Sequence, residues 1–279
     1  MTEIEKPESA HSKNNQEIEL SNENLGPADI SHEHNESNEF PVDIKGSDNE
    51  IDEETIQQQV RVGFIRKVYG ILSIQLIITF GTVFLFQLNS IKSFIHLHQQ
   101  LAGNTLIFCS LAFLVFFLIL VCNRNLSRTV PYNYLFLLAI TLSESLVCGI
   151  ISSIYSFQIV ATALALTIIT TLAITFYACT TKTNFSYYKL GLFVVFSQVF
   201  MVGLIAILFR IEALYTLYTF LMTFVIGIYL VYDTQLIMGK FGEAYSVDDY
   251  IFATLEIYMD IVRLFLMILR IVSRYSRRN

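Results

Sequence analysis

After a polar, acidic start the chain carries seven apolar stretches, each about 20 residues long and so able to cross a bilayer as an α-helix. They cover residues 68–88, 105–122, 132–155, 159–179, 190–209, 214–238 and 250–272. Inside hydrocarbon every backbone N–H and C=O must find a partner within the protein, which leaves only helices and closed barrels. Barrel strands would read as alternating segments of about ten residues, and these stretches do not alternate. The expected fold is all-α: a polytopic membrane protein, a seven-helix transmembrane bundle with consecutive helices antiparallel.

Charge divides the chain in two. Residues 1–60 hold 16 acids and 3 bases, and the remainder holds 8 acids and 15 bases. Low hydrophobicity with high net charge predicts a disordered acidic tail over residues 1–60, followed by a transmembrane domain over residues 61–279. The start shows no basic region leading into an apolar one, so no cleavable signal peptide is expected. Cys109, Cys122, Cys148 and Cys179 sit in or beside apolar runs with no metal-ligand spacing, which suits small buried hydrophobes. No histidine lies inside an apolar stretch, which argues against a membrane metalloenzyme.

Lys and Arg in the loops set the orientation. Arg61, Arg66, Lys67, Arg124, Arg128, Lys182, Lys189 and Lys240 fall on the side of the N-terminus, against Lys92 and Arg210 opposite. The N-terminus is therefore expected in the cytosol. Seven full crossings would carry Arg274, Arg277 and Arg278 to the far side, against the rule. Either the last segment is re-entrant, or it spans and the earlier helices dominate.

Four acids lie within apolar stretches: Glu144, Asp233, Glu256 and Asp260. Intramembrane charges are costly and mark functional sites by default, usually with a partner. Glu212, Glu243, Asp248 and Asp249 fall in loops, where solvated charge is the expectation. Glu256, Asp260 and Arg263 are spaced i, i+4, i+7 and share one helix face, which cannot meet lipid. Asp233 would lie about 8 Å from its membrane edge and Asp260 about 15 Å, a gap that tilt and side-chain reach could close. Two carboxylates that meet in a low dielectric share a proton and titrate together. Deprotonated, they form a hard-oxygen site suited to Ca²⁺, so protons and calcium would compete. A buried structural salt bridge between Asp260 and Arg263 is the alternative. For Glu144 a satisfied polar contact between helices stands equally with an ion-path role.

Aspartates on two adjacent membrane helices also describe intramembrane aspartyl proteases. Those carry Gly-x-Gly-Asp at the second aspartate, where this chain reads Ile257-Tyr258-Met259-Asp260, and a later Pro-Ala-Leu, whereas no proline follows Pro131. No enzymatic activity is expected.

Several motifs over residues 60–275 resemble the Bax inhibitor-1 superfamily, and within it the Lifeguard (transmembrane BAX inhibitor motif-containing) branch. They are Arg66-Lys67-Val68-Tyr69 with Gln75-Leu76 and Thr79, Pro131 with Thr141-Leu142-Ser143-Glu144-Ser145, and Ala178-Cys179-Thr180-Thr181-Lys182-Thr183-Asn184-Phe185. The most specific are Tyr232-Asp233-Thr234-Gln235 and the block from Asp248-Asp249-Tyr250-Ile251 to Leu264-Phe265-Leu266. The resemblance implies a seven-helix protein that leaks Ca²⁺ in a pH-sensitive way and restrains apoptosis, with Asp233 and Asp260 as the ion and proton sensor. Asn184 replaces an acid usual in the family. Glu256 and Arg263 stand where Lifeguard members commonly carry Asn. Relatives that supply an arginine latch do so from the second helix, which here has no basic residue, so Arg263 is the candidate latch, with Glu256 and Glu144 as pore-lining candidates.

The expected function is a pH-sensitive calcium leak in an endoplasmic reticulum or Golgi membrane, with Ca²⁺ bound transiently by Asp233 and Asp260 and no resident cofactor. The expected partners are the lipid bilayer, Ca²⁺, protons and apoptosis-regulating membrane proteins, with no nucleic acid. The alternative is a non-conducting scaffold that binds apoptotic or stress-signalling partners.

Overall fold

A computed structural model describes residues 44–240 and 245–278. The chain divides into two units, Met1–Gly46 and Ser47–Asn279, and the helices described below belong to the second except for the first turn of α1. Most of the acidic tail expected over residues 1–60 thus lies outside the described residues. The tail boundary drawn at residue 60 does not coincide with a change of secondary structure, because the first helix starts earlier.

In chain order the helices are α1 (Ile44–Leu85), α2 (Asn89–Leu97), α3 (Gln99–Cys122), α4 (Arg124–Arg128), α5 (Tyr132–Ser153), α6 (Phe157–Thr180), α7 (Lys189–Leu208), α8 (Glu212–Met238) and α9 (Tyr250–Arg278). Short 3-10 turns at Phe185–Tyr188 and Val247–Asp249 introduce α7 and α9. Six helices are long and apolar enough to cross a membrane: α1 from Thr55, α3, α5, α6, α7 and α8. The protein is an all-α, multi-pass membrane protein. Each of the seven expected segments is represented by a long helix, but the last, α9, is too rich in ionisable groups to count among the six.

That polarity explains where α9 sits. It packs against α5, α6 and α8, and Phe80 of α1 meets Phe265 edge-on at 5.6 Å. Most of its residues from Tyr250 to Leu269 are buried, including Ala253, Leu255, Tyr258, Val262 and Phe265. The helices around it turn apolar side chains outward instead, such as Phe108 on α3, Phe176 on α6 and Leu190 on α7. In lipid the outward face must be apolar, so the helix least suited to lipid takes the centre.

The re-entrant alternative for the last segment fails on geometry. A re-entrant segment turns back within the membrane, whereas α9 is one unbroken helix of 29 residues. It runs antiparallel to α8, from Asp260 beside Asp233 to Arg274, which donates to the Glu212 carbonyl and the Thr216 hydroxyl. Helices therefore alternate between two ends. The near end holds Arg61 and the α3–α5, α6–α7 and α8–α9 connections; the far end holds α2 and the start of α8.

Several hydroxyls buried among these helices are satisfied locally. Thr141, Thr167, Thr234 and Thr254 each donate to the carbonyl four residues earlier, which costs no interhelical partner. At the near end α8 stops at Gly239, a left-handed residue with φ 68° whose N–H returns to the Leu236 carbonyl. Such a stop favours glycine, since a Cβ clashes in that conformation. Here the Cβ would also lie 2.9 Å from Arg61 Nε. Arg61 donates to the Leu236 carbonyl at 2.6 Å and to the Tyr245 carbonyl at 2.9 Å, closing the same turn.

Gly239→Ala is therefore expected to cost about 1–3 kcal/mol and to lower the thermal denaturation midpoint of the purified protein in detergent. Gly70→Ala, whose new methyl meets nothing within 4 Å, should leave the midpoint unchanged or raise it. Equal midpoints for both variants would exclude strain at the α8 stop.

Candidate functional site

The last turn of α8 distributes four consecutive side chains to four different parts of the molecule. Tyr232 lies under the Lys189 ammonium of α7, 5.9 Å from the ring centre. Asp233 faces Asp260 of α9 at close range. Thr234 pairs with the Tyr69 hydroxyl of α1. Gln235 donates to the Thr183 carbonyl at 3.0 Å and accepts from the Phe185 N–H at 3.2 Å, pinning the α6–α7 connection. Successive helical residues point about 100° apart, so four in a row can face four neighbours only where a helix is surrounded.

The aspartate pair sits at the centre of this junction. Asp233 and Asp260 are each only 7 % exposed, and Asp260 Oδ2 accepts no hydrogen bond from a protein donor. Two carboxyl groups brought together in a low dielectric cannot both ionise cheaply and titrate as a pair. The gap left open by counting residues along the helices is thus closed in the folded bundle.

Charged neighbours are ranged along α9. Glu256 lies one turn toward the near end, repelled by Asp233 and attracted by Lys189 of α7 and Arg124 of α4. Lys189 also attracts Asp233. One turn the other way, Arg263 attracts both Asp260 and Glu144 of α5. Among the described residues Arg263 forms no direct ion pair with either. It stands between two carboxyl groups as a shared counter-charge. Glu144, 7 % exposed, borders a second polar cluster on another side of α9. There Gln75 donates to the Thr141 hydroxyl at 2.8 Å, while Thr79 bonds Ser145 at 3.1 Å and Tyr258 at 2.8 Å.

Among the described residues no group of three or more His, Cys, Asp or Glu side chains converges as a metal cage. A calcium ion takes six to eight oxygens, and two carboxylates supply at most four. Water would have to complete the shell of a calcium ion held there.

One loop acid is not solvated as expected. Asp249 is 7 % exposed and binds Arg128 of α4 through two parallel contacts, Nε to Oδ1 and Nη2 to Oδ2, both 2.8 Å. The two donors of a guanidinium match the two oxygens of a carboxylate. That pairing holds the Arg128 guanidinium above its ordinary value, so it stays charged at any physiological pH. Asp249 also precedes the first turn of α9, where a negative charge meets the positive end of the helix dipole. Through Arg124 and Arg128 the short α4 thus faces the near-end mouth of the carboxylate site. Sequence reasoning had used both arginines, and Lys189, only to count loop charge.

These features define a multi-pass helical membrane protein with a buried carboxyl pair between its last two helices. The family model described as inhibitor of apoptosis-promoting Bax1 (Bax1-I) matches residues 61–278, and the chain belongs to that family. It is 32 % identical to protein lifeguard 3 of Mus musculus over 255 residues, 88 % of this chain and 79 % of the relative. Protein lifeguard 3 of Homo sapiens is 32 % identical over 77 % of this chain and 70 % of its own length. Protein lifeguard 4 of Mus musculus is 29 % identical over 78 % of this chain and 88 % of its own.

The Arg128–Asp249 pair can be tested by a double-mutant cycle. Arg128→Ala and Asp249→Ala should each lower the thermal midpoint, and the double variant should lose less than the two together, because a buried carboxylate without its partner is the costly state. Strictly additive losses would show that the two side chains are not coupled.

Proposed function

We propose that this chain is a pH-sensitive calcium-leak protein that restrains apoptosis, gated by the Asp233–Asp260 pair. It acts in an intracellular membrane, the endoplasmic reticulum or the Golgi, with the N-terminus cytosolic, and it is neither an enzyme nor the holder of a resident cofactor. The observation that carries the reading is the close approach of two buried carboxyl groups on α8 and α9. With a proton between them the pair is closed and carries a single negative charge. Without it, two carboxylates repel each other and attract a divalent cation, so one proton changes both the packing of α8 on α9 and the field along the route. The restraint of apoptosis is supported by the description of the family model, and the membrane setting by the six long apolar helices. The cytosolic N-terminus is supported by the excess of Lys and Arg in the near-end loops.

The test is calcium flux from liposomes holding the purified protein, read between about pH 6 and pH 8. Wild type should show a leak that changes across this range, and Asp233→Asn/Asp260→Asn a leak that no longer responds to pH. No leak from either protein would give the pair a structural role and leave a non-conducting scaffold as the reading.

Arg263→Ala is a separate expectation. Losing the counter-charge between Asp260 and Glu144 should loosen the centre of the bundle and raise the resting leak at neutral pH. A leak equal to that of wild type would remove Arg263 from the gate.

A further inference from the structure

At the far end of the bundle, away from the carboxyl pair, lies a cavity of about 350 Å³ lined by residues of α2, α3 and α5 and the turns flanking α2. Its walls include Phe86, Ile95, Leu101, Leu146 and Ile150, and its polar contributions come from His98 and Thr105. Two features show that it is built rather than left over. Phe86 lies directly on Gly149, where even a Cβ would come within 2.9 Å of the ring. The cover is α2, which is amphipathic: Ile91, Phe94 and Ile95 face the cavity, while Lys92 donates to the Tyr155 carbonyl at 2.5 Å and to Gln87 Oε1 at 3.3 Å. Gln87 in turn donates to the Ser152 carbonyl at 2.7 Å. The polar side of α2 is thus tied to the ends of α1 and α5, which holds its apolar side over the cavity.

What fills such a space follows from its surroundings. A stable buried water needs two to four polar partners, and these walls offer few. Phe94 and Leu101 in the wall are themselves about half exposed, and their surface runs on into Leu97 and Phe108, the apolar exterior of α2 and α3. The mouth therefore opens where the bilayer hydrocarbon meets its headgroup layer. Short amphipathic helices lie at that depth with the apolar face buried several ångströms into the acyl boundary. We infer that the cavity under α2 is a binding site for one phospholipid acyl chain, drawn from the leaflet at the far end, with the headgroup beside α2. This inference does not rest on the calcium reading and would survive its failure.

The chain contains no tryptophan, so Phe94→Trp places a single indole in the cavity wall. Phe108→Trp, on the exposed face of α3, reports ordinary surrounding lipid. Both are reconstituted in phosphatidylcholine vesicles with a rising fraction of dibromostearoyl chains, whose bromines quench indole fluorescence on contact. Phe94→Trp should be half quenched at a lower brominated fraction than Phe108→Trp, and adding Ala102→Phe, which fills the cavity, should remove the difference. Ile95→Trp serves as a second reporter should Phe94→Trp not yield folded protein. Identical curves for wall and surface reporters, or a difference that persists with Ala102→Phe, would overturn the site. A difference abolished by adding cholesterol at constant phospholipid would assign it to a sterol instead and overturn the acyl-chain reading.

Discussion

A long helix with an acid–base stripe cannot face hydrocarbon, and the bundle is arranged around that constraint. The α9 stripe of Glu256, Asp260 and Arg263 is covered chiefly by α8, with α5 and α6 on its other sides. A charge at membrane depth persists only when it faces protein or an aqueous space. Helices such as α3 and α6 can then be almost uniformly apolar, because neither carries an Asp, Glu, Lys or Arg that must be hidden. The packing in this protein is thus set less by hydrophobic burial, which lipid equals, than by the need to match polar groups on a central helix.

The last turn of α8 is where those matches are concentrated. Tyr232, Asp233, Thr234 and Gln235 engage α7, α9, α1 and the α6–α7 connection in turn. A change of charge at Asp233 therefore acts at a point where four neighbours are held by the same turn of helix. The helix that carries Asp233 also fixes the relative positions of the helices around it. Gly239 and Arg61 close the turn immediately beyond, so the turn is anchored on its loop side and free to respond on its membrane side.

Much of this was legible beforehand. Apolar runs near the length of a bilayer span located the long helices, and the i, i+4, i+7 spacing correctly put Glu256, Asp260 and Arg263 on one face. Approach of Asp233 to Asp260 was not legible, because residue counts give depth along a helix but neither its tilt nor its rotation. Asp249 was misread as solvated, since a loop position in sequence says nothing about an arginine 121 residues away. Lys189 went unnoticed for a related reason: it sits at the first position of α7, where a cation looks like ordinary loop charge, yet the fold turns it over Tyr232. The cavity under α2 was invisible as well. A nine-residue helix was hidden inside what read as a connection, and only its contacts show which face is inward.

Arg274, one of the arginines that set the last segment against the charge asymmetry of the loops, is packed against its neighbours together with Arg270. Arg270 and Arg274 lie over the Tyr215 ring, 5.8 and 5.1 Å from its centre, and Arg274 donates to Thr216. They are side chains packed along α8 rather than free charges in a connecting loop, and loop charge is what the asymmetry counts. Asp248 and Asp249 lie just before α9, Glu256 and Asp260 follow within it, and Arg263, Arg270 and Arg274 come after them. This is the order that a helix dipole favours at its two ends. Arg263 marks the change of sign, one turn beyond Asp260. The local charge along the α8–α9 seam is thus negative up to Asp260 and positive past it. On the side of α5, Glu144 is the acid placed to offset the Arg263 charge.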